Sequence, residues 1–534
     1  MPTDCIPFRE TNYFSELICD YLDEKETLKP FYNRFPKHEN FQAQIEEKKT
    51  WFPKKNREVL VKVLKEQYLG VTASQLTFQN IEALANDNSF TITTGHQLNL
   101  FTGPLYFLYK IVSTINLTKE LKKEYPKYNF VPVYWMATED HDFDEINFFN
   151  FKGKKILWNR DATGAVGELP TASLETVFER FSGELGVGKN ADEIRNLFKK
   201  AYLKHNNLAN ATRFLANELF GEYGLVIIDA NNTDLKRLFV PYKEMEFGDQ
   251  TSYKAVSETN NRLNAIPDSN YNIQVNPREI NLFYLKNGLR ERIVQEGEQF
   301  KVLETEISFS ENELEDELKN HPERFSPNVI MRPLYQEVIL PNLCYIGGGG
   351  ELAYWLQLKA YFKQVSVPFP MLLLRNSVLV ESEKQAEKLQ NLGVSNKDIF
   401  LKRNELINKK VREISNIDID FSPQKEHLKQ QFEGLYELAE QTDKSFLGAV
   451  KAQEQKQIKG LEHLEKRLLK AQKRVLKDEI TRMTDLQEEL FPGQTLQERK
   501  LNFSELYIEY GDRLIQQLML NLQPLKGEFI ILKL

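Results

Sequence analysis

The sequence predicts an α/β fold: a doubly wound parallel sheet with two connecting insertions and an α-helical antiparallel coiled-coil arm. Three observations carry this. Short apolar, β-rich runs alternate with amphipathic helical stretches through the first three quarters of the chain. Those runs end in polar or glycine-containing junctions, TTGHQLNLFTGP (93–104), TEDHDFDE (138–145) and YIGGGGELAYW (345–355). From Ser422 the composition shifts to Gln, Glu, Lys and Leu with a sustained apolar seam.

Residues 1 to about 88 read as helical, with Val59, Leu60, Val63 and Leu64 at helical spacing and Phe78, Ile81 and Ala85 likewise. Ser89–Thr93 is a buried strand. Leu105, Leu108, Ile111, Val112 and Ile115 mark one face of the helix after it, and Phe130–Met136 is the next strand. A βαβ unit of this kind implies a parallel sheet covered by helices. Glycines and short runs such as KGKKILWNR mark an insertion near 150–185. Helix from about Ala191 to Phe220 leads to a third strand, Gly224–Asp229, and more helix over Thr233–Ala265. A second insertion near 270–310 alternates like strands, with Asn287-Gly288 as its hairpin turn. The core pattern resumes at Tyr335–Leu340, followed by Ile346, four glycines, a helix over Glu351–Phe362 and a strand at Pro370–Leu374. The core thus spans 1–421. Leu428, Phe432, Leu435 and Ala439, then Leu461, Leu464, Leu468, Ala471 and Val475, define two antiparallel helices of an arm over 422–491. Residues 492–534 form a last helix and an apolar tail that pack back on the core.

With 534 residues, 41% of them hydrophobic, there is ample material for a packed core, and 70 basic against 77 acidic residues leave a charge of -7. That balance argues against general affinity for nucleic acid or an anionic membrane. The N-terminal MPTDCIPFRETNYF lacks a basic region followed by an apolar core, so no secretory signal is read there. Three scattered cysteines provide neither a disulfide framework nor a thiolate zinc site. A cytoplasmic location is expected.

Ligands of an open parallel sheet bind at the carboxyl ends of its strands. At the first junction Gly95 and Gly103 allow close backbone approach. Thr102 is expected to cap the helix and Pro104 to open it. Its N-terminal amides and dipole suggest an anion seat, with His96 and Asn99 as added donors, and the competing reading is a histidine bonded within its own loop. At the second junction five acids surround His141, so Glu139, Asp140, Asp142, Asp144 and Glu145 are either solvated or engaged by a cation. A substrate ammonium, magnesium carried by ATP phosphates and zinc are the candidates. Zinc is the weakest, because no second His or Cys stands at ligand spacing. At the third junction the glycines permit backbone contact with a ligand, though a glycine run alone is a weak signal. No P-loop, GxSxG elbow or HExxH is present.

Together, TTGHQLNLFTGP, ATEDHDFDE after its strand, and CYIGGGGELAYW resemble the bacillithiol-biosynthesis cysteine-adding enzymes, a family labelled cysteine ligases, over essentially the full chain. The resemblance implies a Rossmann-like core related to class I aminoacyl-tRNA synthetases and nucleotidyltransferases. It further implies a helical arm used in homodimerisation, and addition of L-cysteine to glucosaminyl-malate as the last step of bacillithiol synthesis. His96 and Asn99 fall where those relatives' HIGH motif sets two histidines on ATP phosphates, with asparagine replacing the second. Leu374-Arg375-Asn376-Ser377 stands where a lysine-bearing loop is expected, and has no lysine.

On the enzyme reading ATP is the co-substrate and activates the cysteine carboxylate, magnesium accompanies its phosphates, and no structural metal is needed. Gly95, His96, Asn99 and Gly103 would meet phosphate. Asp140, His141 or Asp142 would hold an ammonium group or help deprotonate the attacking amine. Arg332, Gln336 and Arg375 would bind the malate carboxylates, with Gln97, Gly347, Gly348, Gly349 and Glu351 as further substrate contacts. The alternative is a non-catalytic coiled-coil dimer, a scaffold or carrier with a nucleotide-binding core. A tRNA-linked role is disfavoured by the acidic balance.

Overall fold

The structure, a computed structural model, describes residues 4–442 and 444–534. The chain divides into two compact units. The first comprises the residues up to 380 with 497–532 and 534, and the second comprises 381–496 with 533. Residues 381–421, assigned to the core from sequence, thus group with the arm.

The first unit is built on a five-stranded sheet: β1 (Ser89–His96), β2 (Asn129–Met136), β3 (Val226–Asp229), β4 (Asn342–Gly347) and β5 (Met371–Leu374). The order across the sheet is β5-β4-β1-β2-β3, and every neighbouring pair is parallel. This is the doubly wound order, in which the chain reverses direction across the sheet between β1 and β4. Being covered on both faces, β1 has no exposed residue, and its threonines are satisfied internally. Thr93 donates to Asn342 Oδ1 at 2.8 Å and Thr94 to the Ile346 carbonyl at 2.7 Å. On one face Phe90, Ile92, Ile346 and Leu373 pack with Phe41, Ile45 and Leu117. On the other, Tyr134, Met136 and Ile227 join a larger apolar cluster.

Helix α1 (Tyr106–Glu124) connects β1 to β2. Its start differs from expectation. Thr102 does not cap it: Phe101 and Thr102 both have left-handed φ, 48° and 69°, and the helix begins after Leu105 with no side-chain cap. The loop is held from outside instead. Asn502 Nδ2 donates to the Phe101 and Gly103 carbonyls, both at 2.7 Å, and the Leu105 amide donates to the Leu501 carbonyl. The conformation drives Phe101 into a nest formed by Phe149, Phe181, Phe198 and Phe503, with ring centroids 5.1–5.6 Å away. Burial of that ring offsets the cost of a left-handed phenylalanine.

The first insertion opens with the hairpin Phe148–Phe151/Lys154–Leu157. The second is a five-stranded antiparallel sheet running from Leu282–Lys286 to Ser308–Ser310 and closed by Phe325–Pro327, and Gly288 takes the positive φ its turn requires. The stretch Tyr335–Leu340 lies mainly in helix α2 (Met331–Ile339), with the strand only after it. The helix expected over 351–362 is two pieces, α3 (Gly349–Leu356) and Lys359–Gln364.

In the second unit α4 (Ser422–Glu440) and α5 (Lys444–Val475) pair antiparallel, bringing Lys425 to Glu465 and Tyr436 to Glu454. Phe432, Ala439 and Val450 form their buried seam. The chain breaks at Leu476 before α6 (Lys477–Leu490). No helix among the described residues is long and apolar enough to cross a membrane.

Candidate active site

A cleft of about 650 Å³ opens at the carboxyl ends of the parallel strands. Gly95 and His96 line it from the end of β1, Thr138 to His141 from beyond β2, Ala230 from beyond β3 and Tyr345 from β4. This is the crevice where a sheet of this order places its ligand.

Its floor is an ion pair between buried Lys110 and partly buried Glu351. Lys110 of α1 donates to Glu351 Oε1 at 2.6 Å and to the Gly95 carbonyl at 2.7 Å. Glu351 also accepts the Gly348 amide at 3.0 Å and the Tyr345 hydroxyl at 2.6 Å. Burial alone would raise the Glu351 carboxyl. Lys110, Tyr345 and the Gly348 amide outweigh it and hold the group below its usual range. Burial lowers Lys110, with Glu351 opposing. Glu351 therefore fills the seat at the α3 N-terminus that sequence left for a ligand. At Gly95 a Cβ would stand 3.2 Å from the Tyr345 hydroxyl, a tight contact that would press on the bond between Tyr345 and Glu351.

His96 is 7% exposed, packed on Tyr106 and Phe107, with Nε2 unpartnered. Burial, reinforced by Lys110, pulls its pKa down to about 3. At neutral pH it is an uncharged imidazole whose one N–H is drawn to the Thr102 carbonyl, so the unpartnered Nε2 is an acceptor.

The wall beyond β2 carries the acids. Gln97 Nε2 donates to Asp140 Oδ2 at 3.0 Å and Glu145 Oε2 at 2.9 Å. Burial pushes Asp140 up, but the Gln97 amide, the Arg290 charge and the His141 backbone amide hold it well below the usual carboxylate range. Glu139 pairs with Lys236. Asp142 caps the short helix Phe143–Ile146 and does not line the cleft. The second insertion closes this wall. Arg290 lies over the Phe283 ring at 4.0 Å and reaches His141 Nδ1 at 2.6 Å.

Other expected residues lie apart from the cleft. Asn99 donates to the Glu145 carbonyl, and Gly103 packs on it so closely that a Cβ would come within 2.6 Å of Asn99 Cβ. The Gly103 and Thr102 amides are spent on Leu100 and Asn99 carbonyls, so this loop presents no open anion seat. Gly347, Gly348 and Gly349 serve packing and the α3 cap. Arg375 forms a bidentate buried pair with Glu498, at 3.0 and 2.7 Å. Gln336 is buried behind the wall, accepting from Arg332 Nη1 and donating to Glu337, which Lys48 neutralises at 2.8 Å. Arg332 does line the cleft, stacked between Trp135 and Tyr345, with Nη2 unpartnered.

The sequence reading missed Lys110, Arg290 and Arg278. Lys110 had a signal, a lysine among the apolar positions of α1. The arginines had none, since a hairpin far along the chain delivers them. Among the described residues no group of three or more His, Cys, Asp or Glu side chains is arranged to hold a metal ion.

The family model described as Bacillithiol biosynthesis BshC, N-terminal Rossmann-like domain, matches residues 1–376, and its C-terminal coiled-coil counterpart matches 378–534. A protein of Flavobacterium johnsoniae named "Putative cysteine ligase BshC" is 61% identical over the whole of both chains. Relatives of the same name from Christiangramia forsetii and Cytophaga hutchinsonii are 60% and 39% identical. The first covers 100% of this chain and 99% of its own, the second 97% and 96%. With a doubly wound core, its ligand crevice and a coiled-coil arm in matching order, the chain belongs to the bacillithiol-biosynthesis BshC family.

Proposed function

We propose that the chain is a ligase that joins L-cysteine to glucosaminyl-malate through an amide bond, the last step of bacillithiol synthesis. ATP activates the cysteine carboxylate. A carboxylate oxygen attacks the α-phosphorus of ATP, forming an adenylate and releasing pyrophosphate, or the γ-phosphorus, forming an acyl-phosphate and releasing ADP. The sugar amine then attacks the activated carbonyl, loses a proton and displaces AMP or phosphate. The observation that carries this reading is charge placement. Arg332 and Arg290 line the cleft without an acidic ion-pair partner among the described residues, while Lys110 stands at its floor. Anions placed among these groups are stabilised without water, as carboxylates and phosphoryl oxygens require. A volume of about 650 Å³ suits substrates of this size.

His96 contributes a neutral Nε2 acceptor and Asp140 an ionised one, both suited to a substrate ammonium or hydroxyl group. Magnesium would arrive on the nucleotide phosphates. The reaction belongs in the cytoplasm. The arm leaves Leu435, Leu438, Leu464 and Val475 exposed, a seam fitted to a second copy of the chain. The test is to incubate the pure protein with ATP, magnesium, cysteine and glucosaminyl-malate, following product by mass spectrometry and AMP against ADP by chromatography. Cysteinyl product with AMP assigns an adenylate, and with ADP an acyl-phosphate. Absence of product from folded protein and verified substrates would overturn the ligase reading.

A further inference from the structure

The second insertion does more than close the cleft: it fixes the chemistry of one side chain in it. His141 Nδ1 lies 2.6 Å from Arg290 Nη1. A guanidinium has only donors and keeps its protons, so Nδ1 must accept and the ring hydrogen must sit on Nε2. Asp140 does not compete for Nδ1. Its Oδ1 is 3.7 Å away and already accepts the amides of His141 at 2.8 Å and Asp142 at 3.4 Å. Arg290 is itself immobilised, 9% exposed and stacked on Phe283, whose ring also packs on the His141 imidazole at 5.6 Å. The His141 side chain is half exposed at the cleft wall, and Nε2 has no partner among the described residues.

We propose that Arg290 is a positioning residue that locks the His141 ring with its hydrogen on Nε2, so that His141 gives substrate a hydrogen bond and does not take its proton. The ionised Asp140 next to it is then the anionic group of this wall. The lock follows from the hairpin alone, and only the identity of the acceptor on the substrate rests on the ligase reading. A carbonyl or phosphoryl oxygen fits, and an ammonium group does not.

Nitrogen-15 NMR of histidine-labelled full-length protein reads the tautomer directly, without turnover. The wild type should show Nε2–H for His141, with the signal assigned by its loss in His141→Gln. Arg290→Ala should release the ring to a tautomer mixture, and Arg290→Lys, which keeps a donor, should hold it. An Nδ1–H ring in the wild type, or an unchanged ring in Arg290→Ala, overturns the lock. With turnover established, His141→Gln supplies an amide N–H that cannot take a proton, and should lose no more than about 10-fold in kcat. His141→Ala should lose on the order of 100-fold. Equal losses in both, with circular dichroism unchanged, would make His141 a base and overturn the donor role. Lack of turnover in the wild type would remove the ligase reading and leave the NMR result standing.

Discussion

Burial decides what His96 can do. Its folded pKa of about 3 lies below the roughly 6.5 of an unfolded histidine. Between those values the unfolded chain takes a proton that the folded chain refuses. The contribution is therefore neutral above about pH 6.5, and stability falls as pH drops from there towards 3. At pH 5.5 the loss from this one side chain is about 1.4 kcal/mol. Unfolding free energies from denaturant titrations at pH 7.5 and 5.5 should separate by that much more in the wild type than in His96→Gln. An identical separation in both would place the acid sensitivity elsewhere. The residue type and its place after β1 were legible in the sequence, but its charge was not. Charge depends on Tyr106, Phe107 and Lys110 packing around the ring, which no spacing rule announces.

At the scale of elements, α1 and α3 are tied through Lys110 and Glu351, each desolvated and each neutralised by the other. Removing Lys110 leaves Glu351 short of its counter-charge, though still held by Tyr345 and Gly348, so Lys110→Met should destabilise the protein by about 2 kcal/mol. Adding Glu351→Gln should recover most of that, and a double-mutant cycle by urea unfolding measures the coupling. Additive losses would show that the two groups do not depend on each other. Elements with strong periodicity were readable in advance: β1, α1, β2 and the Asn287-Gly288 hairpin all stand where the pattern put them. The failures have physical causes. Thr102 looked like a cap because Pro104 follows it, but Asn502, 401 residues from Phe101, closes that loop instead. Tyr335–Leu340 looked continuous with the strand because α2 is buried along nearly its whole length, with Gln336 and Glu337 held inside by Arg332 and Lys48. In the cleft, the residues next to strand ends were findable, whereas Arg290 and Arg278 arrive on an insertion whose docking is tertiary.

For the whole molecule, the arm has an apolar seam only partly satisfied by its own hairpin, with Leu438 and Leu464 each 53% exposed. Sedimentation should report twice the 62.5 kDa of one chain, and Leu438→Glu combined with Leu464→Glu should return it to the single-chain mass. A mass unchanged by the pair of glutamates would leave the hairpin self-sufficient. The first unit is also discontinuous, because its buried Arg375 is matched by Glu498, 123 residues later. On the ribosome, at about 5–20 residues per second, that interval lasts roughly 6–25 s. Throughout it the guanidinium has no carboxylate, and the sheet end that carries it cannot close dry. A chain cut short within the arm would carry Arg375 at the sheet end without its counter-charge, and should be more open to proteolysis than the full-length protein.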